Sequence, residues 1–281
     1  MKPTRLRGHG LQLAADIGGD PHRTPVVLLH GGGQTRHAWG TTARAMVRAG
    51  YYVVSLDLRG HGESEWAPTY VIDSFVRDLK AVIAELPSPG PVLIGASLGG
   101  LISLLAVGES PNGLARGMVL VDITPKIEAT GVARILGFMM ANPEGFASLA
   151  DAANAVSAYL PNRPRPPRFD GLRRNLRLRA DGRYYWHWDP TLFDTLETGA
   201  DDARLRRLET AATRIDIPTL LVRGQRSELV STDSVRHFLG LIPLAEWIDV
   251  AGSGHMVAGD RNTAFTASIL DFLARRIGTI G

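Results

Sequence analysis

Apolar runs recur along the chain between turn residues. PVVLL at 25–29, YYVVSLDL at 51–58, PVLIG at 91–95, GMVLVD at 117–122, PTLLVRG at 218–224 and AEWIDV at 245–250 predict six strands. They are continuous runs, not half-polar alternations, the pattern of strands covered on both faces. The opening LRGHGLQLAADIGGD alternates around glycines and predicts a hairpin. Helical periodicity fills the gaps. Ala38, Trp39, Ala43, Met46 and Val47 share one face of 36–49, Phe75, Leu79, Val82, Ile83 and Leu86 one face of 72–86, and Phe265, Ile269, Leu270, Phe272 and Leu273 one face of 262–274. Strand–helix alternation of this kind predicts an α/β fold, a mostly parallel central sheet with helices on both faces. The alternation stops between Thr124 and Asp216. GVARILGFMM and ASLADAANAVSAYL read as helices there, followed by a Pro/Arg stretch and an aromatic patch, with no convincing strand. A loop that long without structure does not fit a compact domain. The expected organisation is therefore a core of 1–124 and 213–281 and a mainly helical insert, 125–212, over the carboxyl edge of the sheet.

Composition narrows the class. The 281 residues carry 44% apolar and 21% charged side chains, a globular balance, and no cysteine. Disulfide frameworks, thiolate catalysis and cysteine-ligated metals are excluded. The net charge of +3 and pI near 9.4 suggest an anionic partner until the charge is located. Eight arginines and two aspartates fall between Pro161 and Arg183, so the basicity belongs to one segment of the insert. That segment reads as a solvated face or as a docking surface for an anion. No nucleic-acid motif accompanies it. The first residues do not form a signal peptide and no run of 18 apolar residues occurs, so a cytoplasmic protein without a membrane span is expected.

Three short motifs carry candidate chemistry. Gly95-Ala96-Ser97-Leu98-Gly99 follows a strand and opens a helix. G-x-S-x-G in that context is the nucleophile elbow: a tight turn lifts the serine above the sheet while small flanking residues let strand and helix approach. His30-Gly31-Gly32-Gly33 follows the strand PVVLL, and its glycines can turn backbone N–H groups toward a developing negative charge. A phosphate loop is excluded there, because no Gly-Lys-Ser/Thr follows. Gly252-Ser253-Gly254-His255-Met256 lies after the last strand, giving the chain order serine, acid, histidine.

With HGGGQT at 30–35, DLRGHGES at 57–64, GASLGG at 95–100, LVDITP at 120–125 and GSGHM at 252–256, the chain resembles the α/β-hydrolase-fold superfamily of serine esterases, lactonases and C–C hydrolases, with the insert as a cap. The resemblance covers about 25–124 and 216–276. It implies Ser97 as nucleophile, His255 as base, and the N–H groups of Gly32 and Leu98 as oxyanion donors. His30, Asp57, Arg59, His61 and Ser64 match positions that shape loops near the site. The common pattern places an aspartate after the strand that follows the cap, in G-x-x-D. Here the stretch reads Gly224-Gln225-Arg226-Ser227-Glu228, and serine cannot compensate an imidazolium. Asp122, at the end of GMVLVD, is one candidate acid, since zearalenone-lactonase-like branches carry it there. Glu228, one residue past the usual place, is the other.

The implied reaction is cleavage of a carboxylic ester or lactone with an apolar part through an acyl-enzyme (an EC 3.1.1 activity), with no metal and no organic cofactor. Serine at the elbow argues against epoxide hydrolases and dehalogenases, which need an aspartate. C–C-bond or amide hydrolysis and a non-catalytic ligand receptor on the same fold are the other readings. Gly33 is a candidate substrate contact. Met139, Met140, Phe146, Trp186 and Trp188 either line an apolar substrate wall or build the cap's own core, and His187 between the tryptophans lies near the pocket. A monomer or homodimer acting on a small molecule is expected.

Overall fold

The computed structural model describes residues 1–110, 113–161, 169–192, 202–255 and 263–278. Arg163, Arg165, Arg168 and Met256 lie outside the described residues. The predicted hairpin forms as β1 (Lys2–Arg7) and β2 (Gln12–Gly18). The apolar runs form β3 (Pro25–Leu29), β4 (Tyr52–Leu56), β5 (Val92–Ala96), β6 (Gly117–Val121), β9 (Thr219–Gly224) and β10 (Ala245–Val250). They join one eight-stranded sheet in the order β1-β2-β4-β3-β5-β6-β9-β10. Pairing is parallel from β4 to β10, and β2 runs against its two neighbours.

Side chains alternate between two covered faces. Val27, Leu29, Leu56, Leu93 and Leu120 meet α2 (Ile72–Ala84), α3 (Leu98–Gly108) and two later helices. Val26, Leu28, Val53, Ile94 and Val119 meet α1 (Gly40–Arg48) and a C-terminal helix on the opposite side. The apolar runs of β3, β5 and β6 are buried at every position, as their sequences predict. β10 departs from that expectation. It is an edge strand with Trp247 48% exposed, because nothing pairs beyond it among the described residues.

The insert holds α4 (Ala129–Met140), α5 (Leu149–Tyr159) and the short α6 (Asp170–Arg173). It also holds a two-stranded antiparallel sheet that the sequence pattern does not reveal, β7 (Leu176–Leu178) with β8 (Tyr184–Trp186). Helix α7 (Asp202–Ala212) falls within the expected insert yet packs on the core helix α3: a Cβ at Gly108 would collide with the Ala211 carbonyl. α8 (Thr232–Leu241) and α9 (Thr263–Arg276) complete the two helix layers.

β3 leads to β4 on one side, and the chain then returns to β5 on the other. Loops at such a switch point diverge and leave a crevice outside the carboxyl ends of the strands, the usual ligand site of open α/β sheets. Residues 30–34, 57–64, 97, 122, 224–228 and 251–255 all leave the sheet at that edge.

Candidate active site

Ser97 sits between β5 and α3 with φ 47° and ψ −114°. Among the described residues it and Asp122, φ 51°, are the two non-glycine residues in the left-handed region. Such conformations cost about 1–3 kcal/mol each and persist only where packing enforces them. The packing is visible at the elbow. A Cβ on Gly95 would meet the Gly99 backbone, and one on Gly99 would meet the Leu29 carbonyl and lie 2.7 Å from Leu29 Cβ. Only glycines let α3 start this close to β5 and β3. Ser97 N–H is anchored to Val121 O at 3.0 Å. The next loop stands beside it, since a Cβ on Gly31 would lie 3.3 Å from Ser97 Cβ. Among the described residues neither the Gly32 nor the Leu98 N–H donates to a protein acceptor.

Asp122 follows β6 and is completely buried. Its N–H bonds Val222 O at 2.8 Å, which fixes the positive-φ turn. The carboxylate gathers three donors: Gly224 N–H on Oδ1 at 3.0 Å, and on Oδ2 the Ser227 hydroxyl at 2.6 Å and His255 Nδ1 at 2.7 Å. A buried carboxylate needs such partners, and here both oxygens have them. Glu228 is turned elsewhere. Its exposed carboxylate pairs with Arg134 of α4, so of the two candidate acids the structure brings only Asp122 to His255. Ser227, in the place of the common aspartate, donates to that of Asp122, a contact no local sequence pattern reveals. Its Oγ accepts from Leu229 N–H and Val230 N–H, both at 3.1 Å, which directs its own hydrogen to Asp122.

The other motif residues build the frame. Asp57 is buried and holds Arg36 through its backbone N–H at 2.6 Å and through its guanidinium, together with Glu63 N–H at 2.9 Å. Arg59 makes a two-pronged bond to Asp78 at 2.6 and 2.7 Å. Ser64 donates to Asp57 O and accepts from Ala14 N–H, tying the loop to β2. Of the aromatic and methionine candidates, Met139 and Trp188 reach Gly33: a Cβ there would lie 2.5 Å from Met139 Cε and 3.2 Å from Trp188. Trp186 stacks on Trp188 at 5.0 Å and meets Phe146 edge-on at 5.2 Å, inside the insert. Met140 is 58% exposed and lines no wall; it sits on the outer face of α4, away from the Met139 face. Three of the described arginines of the basic segment are engaged by protein groups: Arg177 donates to Gly62 O and covers the Trp66 ring, Arg179 covers the Tyr185 ring, and Arg183 donates to Glu144 O and Gly145 O.

A sequence profile described as alpha/beta hydrolase fold matches residues 24–261. The chain belongs to the α/β hydrolase family. Among its relatives, esterase Rv0045c of Mycobacterium tuberculosis is 29% identical over 265 residues, covering 89% of this chain and 83% of that one. The sn-1-specific diacylglycerol lipase ABHD11 of Danio rerio is 25% identical over 263 residues, covering 89% and 78%. The crystal structure of E-2-(acetamidomethylene)succinate hydrolase superposes with a TM-score of 0.80 at 23% identity over 96% of this chain and 98% of that one, a likeness of fold. These relatives are esterases, lipases and other hydrolases. Among the described residues no helix is long and apolar enough to cross a membrane.

Proposed function

We propose that this α/β hydrolase is a serine hydrolase that cleaves a carboxylic ester or lactone through an acyl-enzyme on Ser97. One observation carries the reading: Asp122 Oδ2 stands 2.7 Å from His255 Nδ1 at the sheet edge that also bears the strained Ser97. An imidazole whose Nδ1–H is held by a carboxylate presents Nε2 as a base in a fixed tautomer.

In this mechanism Ser97 Oγ attacks the carbonyl carbon and its proton passes to His255 Nε2. The oxyanion is received by the N–H groups of Gly32 and Leu98, with the positive end of α3 behind them. The tetrahedral intermediate expels the alkoxide, which takes the proton from His255. Water then attacks the acyl-enzyme with His255 again as base, and the acid leaves. In a lactone the alcohol stays tethered to the acyl group and departs with it as a hydroxy acid. Met139 and Trp188, packed against Gly33, form the apolar side of the substrate space.

A fluorophosphonate probe read by intact-protein mass spectrometry tests the nucleophile. One phosphonyl group on wild type and none on folded Ser97→Ala is the expected result. An unlabelled, folded wild type would favour a ligand receptor on this fold.

A further inference from the structure

Three buried imidazoles surround the glycine loop, and the backbone occupies both nitrogens of each. His30 accepts Leu58 N–H on Nε2 at 3.0 Å, so its Nδ1–H donates to Gly31 O at 2.8 Å. His61 accepts Gly33 N–H on Nε2 at 3.1 Å, so its Nδ1–H donates to Arg59 O at 2.9 Å. His187, from the insert, accepts Gly62 N–H on Nδ1 at 2.7 Å, and its Nε2–H faces Gly33 O at 3.3 Å. An N–H partner on one ring nitrogen leaves the proton on the other, so all three rings are neutral and each has one tautomer. Burial favours the same state: it lowers His30 to about 4 and His61 to about 3, and holds His187 well below the usual histidine value.

A trans peptide carries its C=O and N–H on opposite sides. Fixing the Gly31 carbonyl with His30 therefore aims the Gly32 N–H of the same plane. Fixing Gly33 N–H with His61 holds the plane on the other side of Gly32, and His187 holds the Gly33 carbonyl beyond it. Gly33 needs this support, because at φ 72° it has no side chain to limit its backbone. The insert is also stitched to the loop that carries His61: Asp189 N–H bonds Gly60 O at 2.9 Å, and Arg177 donates to Gly62 O.

We infer that His187 is a positioning residue for the oxyanion loop, through which the insert sets the direction of the Gly32 N–H. The inference rests on the serine-hydrolase reading above. It separates two functions of the insert, shaping substrate space with Met139 and Trp188 and holding the catalytic backbone with His187.

The test compares His187→Leu, which removes both bonds at similar volume, with His187→Gln, whose amide can restore the donor to Gly33 O. On a short nitrophenyl ester, His187→Leu lowers kcat about 10- to 100-fold with KM within about twofold, somewhat less than deletion of a whole oxyanion donor. Affinity for a trifluoromethyl ketone analogue weakens in the same proportion, and His187→Gln recovers part of both. A raised KM with unchanged kcat overturns the inference and makes His187 part of the substrate wall. The loop itself is read in the Ser97→Ala background, where amide exchange at Gly62, whose N–H His187 accepts, accelerates at least about tenfold with His187→Leu and less with His187→Gln, as expected for a lost hydrogen bond. Unaltered exchange, with wild type separately shown to be phosphonylated at Ser97, overturns the positioning of the loop by His187 alone. A wild type that is not phosphonylated overturns the hydrolase reading and with it the positioning role of His187 in catalysis.

Discussion

A serine hydroxyl stands where the common pattern of this fold places its acid, and the carboxylate proposed for that role, Asp122, follows the neighbouring strand of the sheet. The two positions are coupled: Ser227 Oγ, pinned by two backbone N–H groups, donates to the same Asp122 oxygen that holds His255. Hydrogen bonds to charged groups contribute about 1.5–3 kcal/mol. Ser227→Ala is thus expected to lower kcat by about 10- to 100-fold while leaving KM near wild type, and Ser227→Thr to retain most of it. Steady-state kinetics of the two variants decide the matter; an Ala variant as fast as wild type removes Ser227 from the account. The sequence displayed Ser97, His255 and both carboxylates but not this link. Two residues 105 positions apart meet only because β6 and β9 are neighbours in the sheet, and strand order is not written in any local pattern.

The elements that position the site were legible where their pattern was long or their turn chemistry specific. β3, β5 and β6 are short β-branched runs buried on both sides, and GASLGG marked the start of α3. The β7–β8 hairpin was not legible. Its strands are three residues each, LRL and YYW, too short for a period of two to register, and they are held by the insert's packing and by the Phe146–Tyr184 bridge. β10 read as a buried strand because its apolar residues do not tell an edge from a centre. At this scale the elbow depends on close approach. Gly99→Ala puts a methyl group against the Leu29 carbonyl, so α3 must move away from β3. The expected cost is about 1–3 kcal/mol, the range for overpacking a dense contact. A thermal unfolding curve would show the lower midpoint, and phosphonylation of Ser97 would slow with it. A variant with unchanged midpoint and labelling rate contradicts this picture of the elbow.

Across the molecule, loops from one sheet edge lie beneath an insert, and three neutral histidines stitch the 30–34 and 57–64 loops to each other and to that insert. That arrangement has a consequence in acid. His30 and His61 are held at about 4 and 3 in the folded protein against 6.5 when free, and His187 is lowered as well, all chiefly by burial. Below pH 6.5 the unfolded chain takes up protons that the folded one refuses. Stability therefore falls as pH drops from about 6.5 toward the folded values, by up to about 1.4 kcal/mol per pH unit for each histidine. Urea midpoints at pH 7, 6 and 5 should decline steadily, and His187→Gln should make the decline shallower. Equal slopes for the two proteins would show that His187 is not held neutral. Whether Asp122 completes a triad with His255 and Ser97 is decided by kcat of Asp122→Asn and Glu228→Gln on a short acyl ester, with both proteins shown to be folded. That triad predicts a loss of about 10⁴-fold in Asp122→Asn, the scale seen when a triad acid is neutralised, and a Glu228→Gln near wild type. A collapse in Glu228→Gln with Asp122→Asn still active would contradict it.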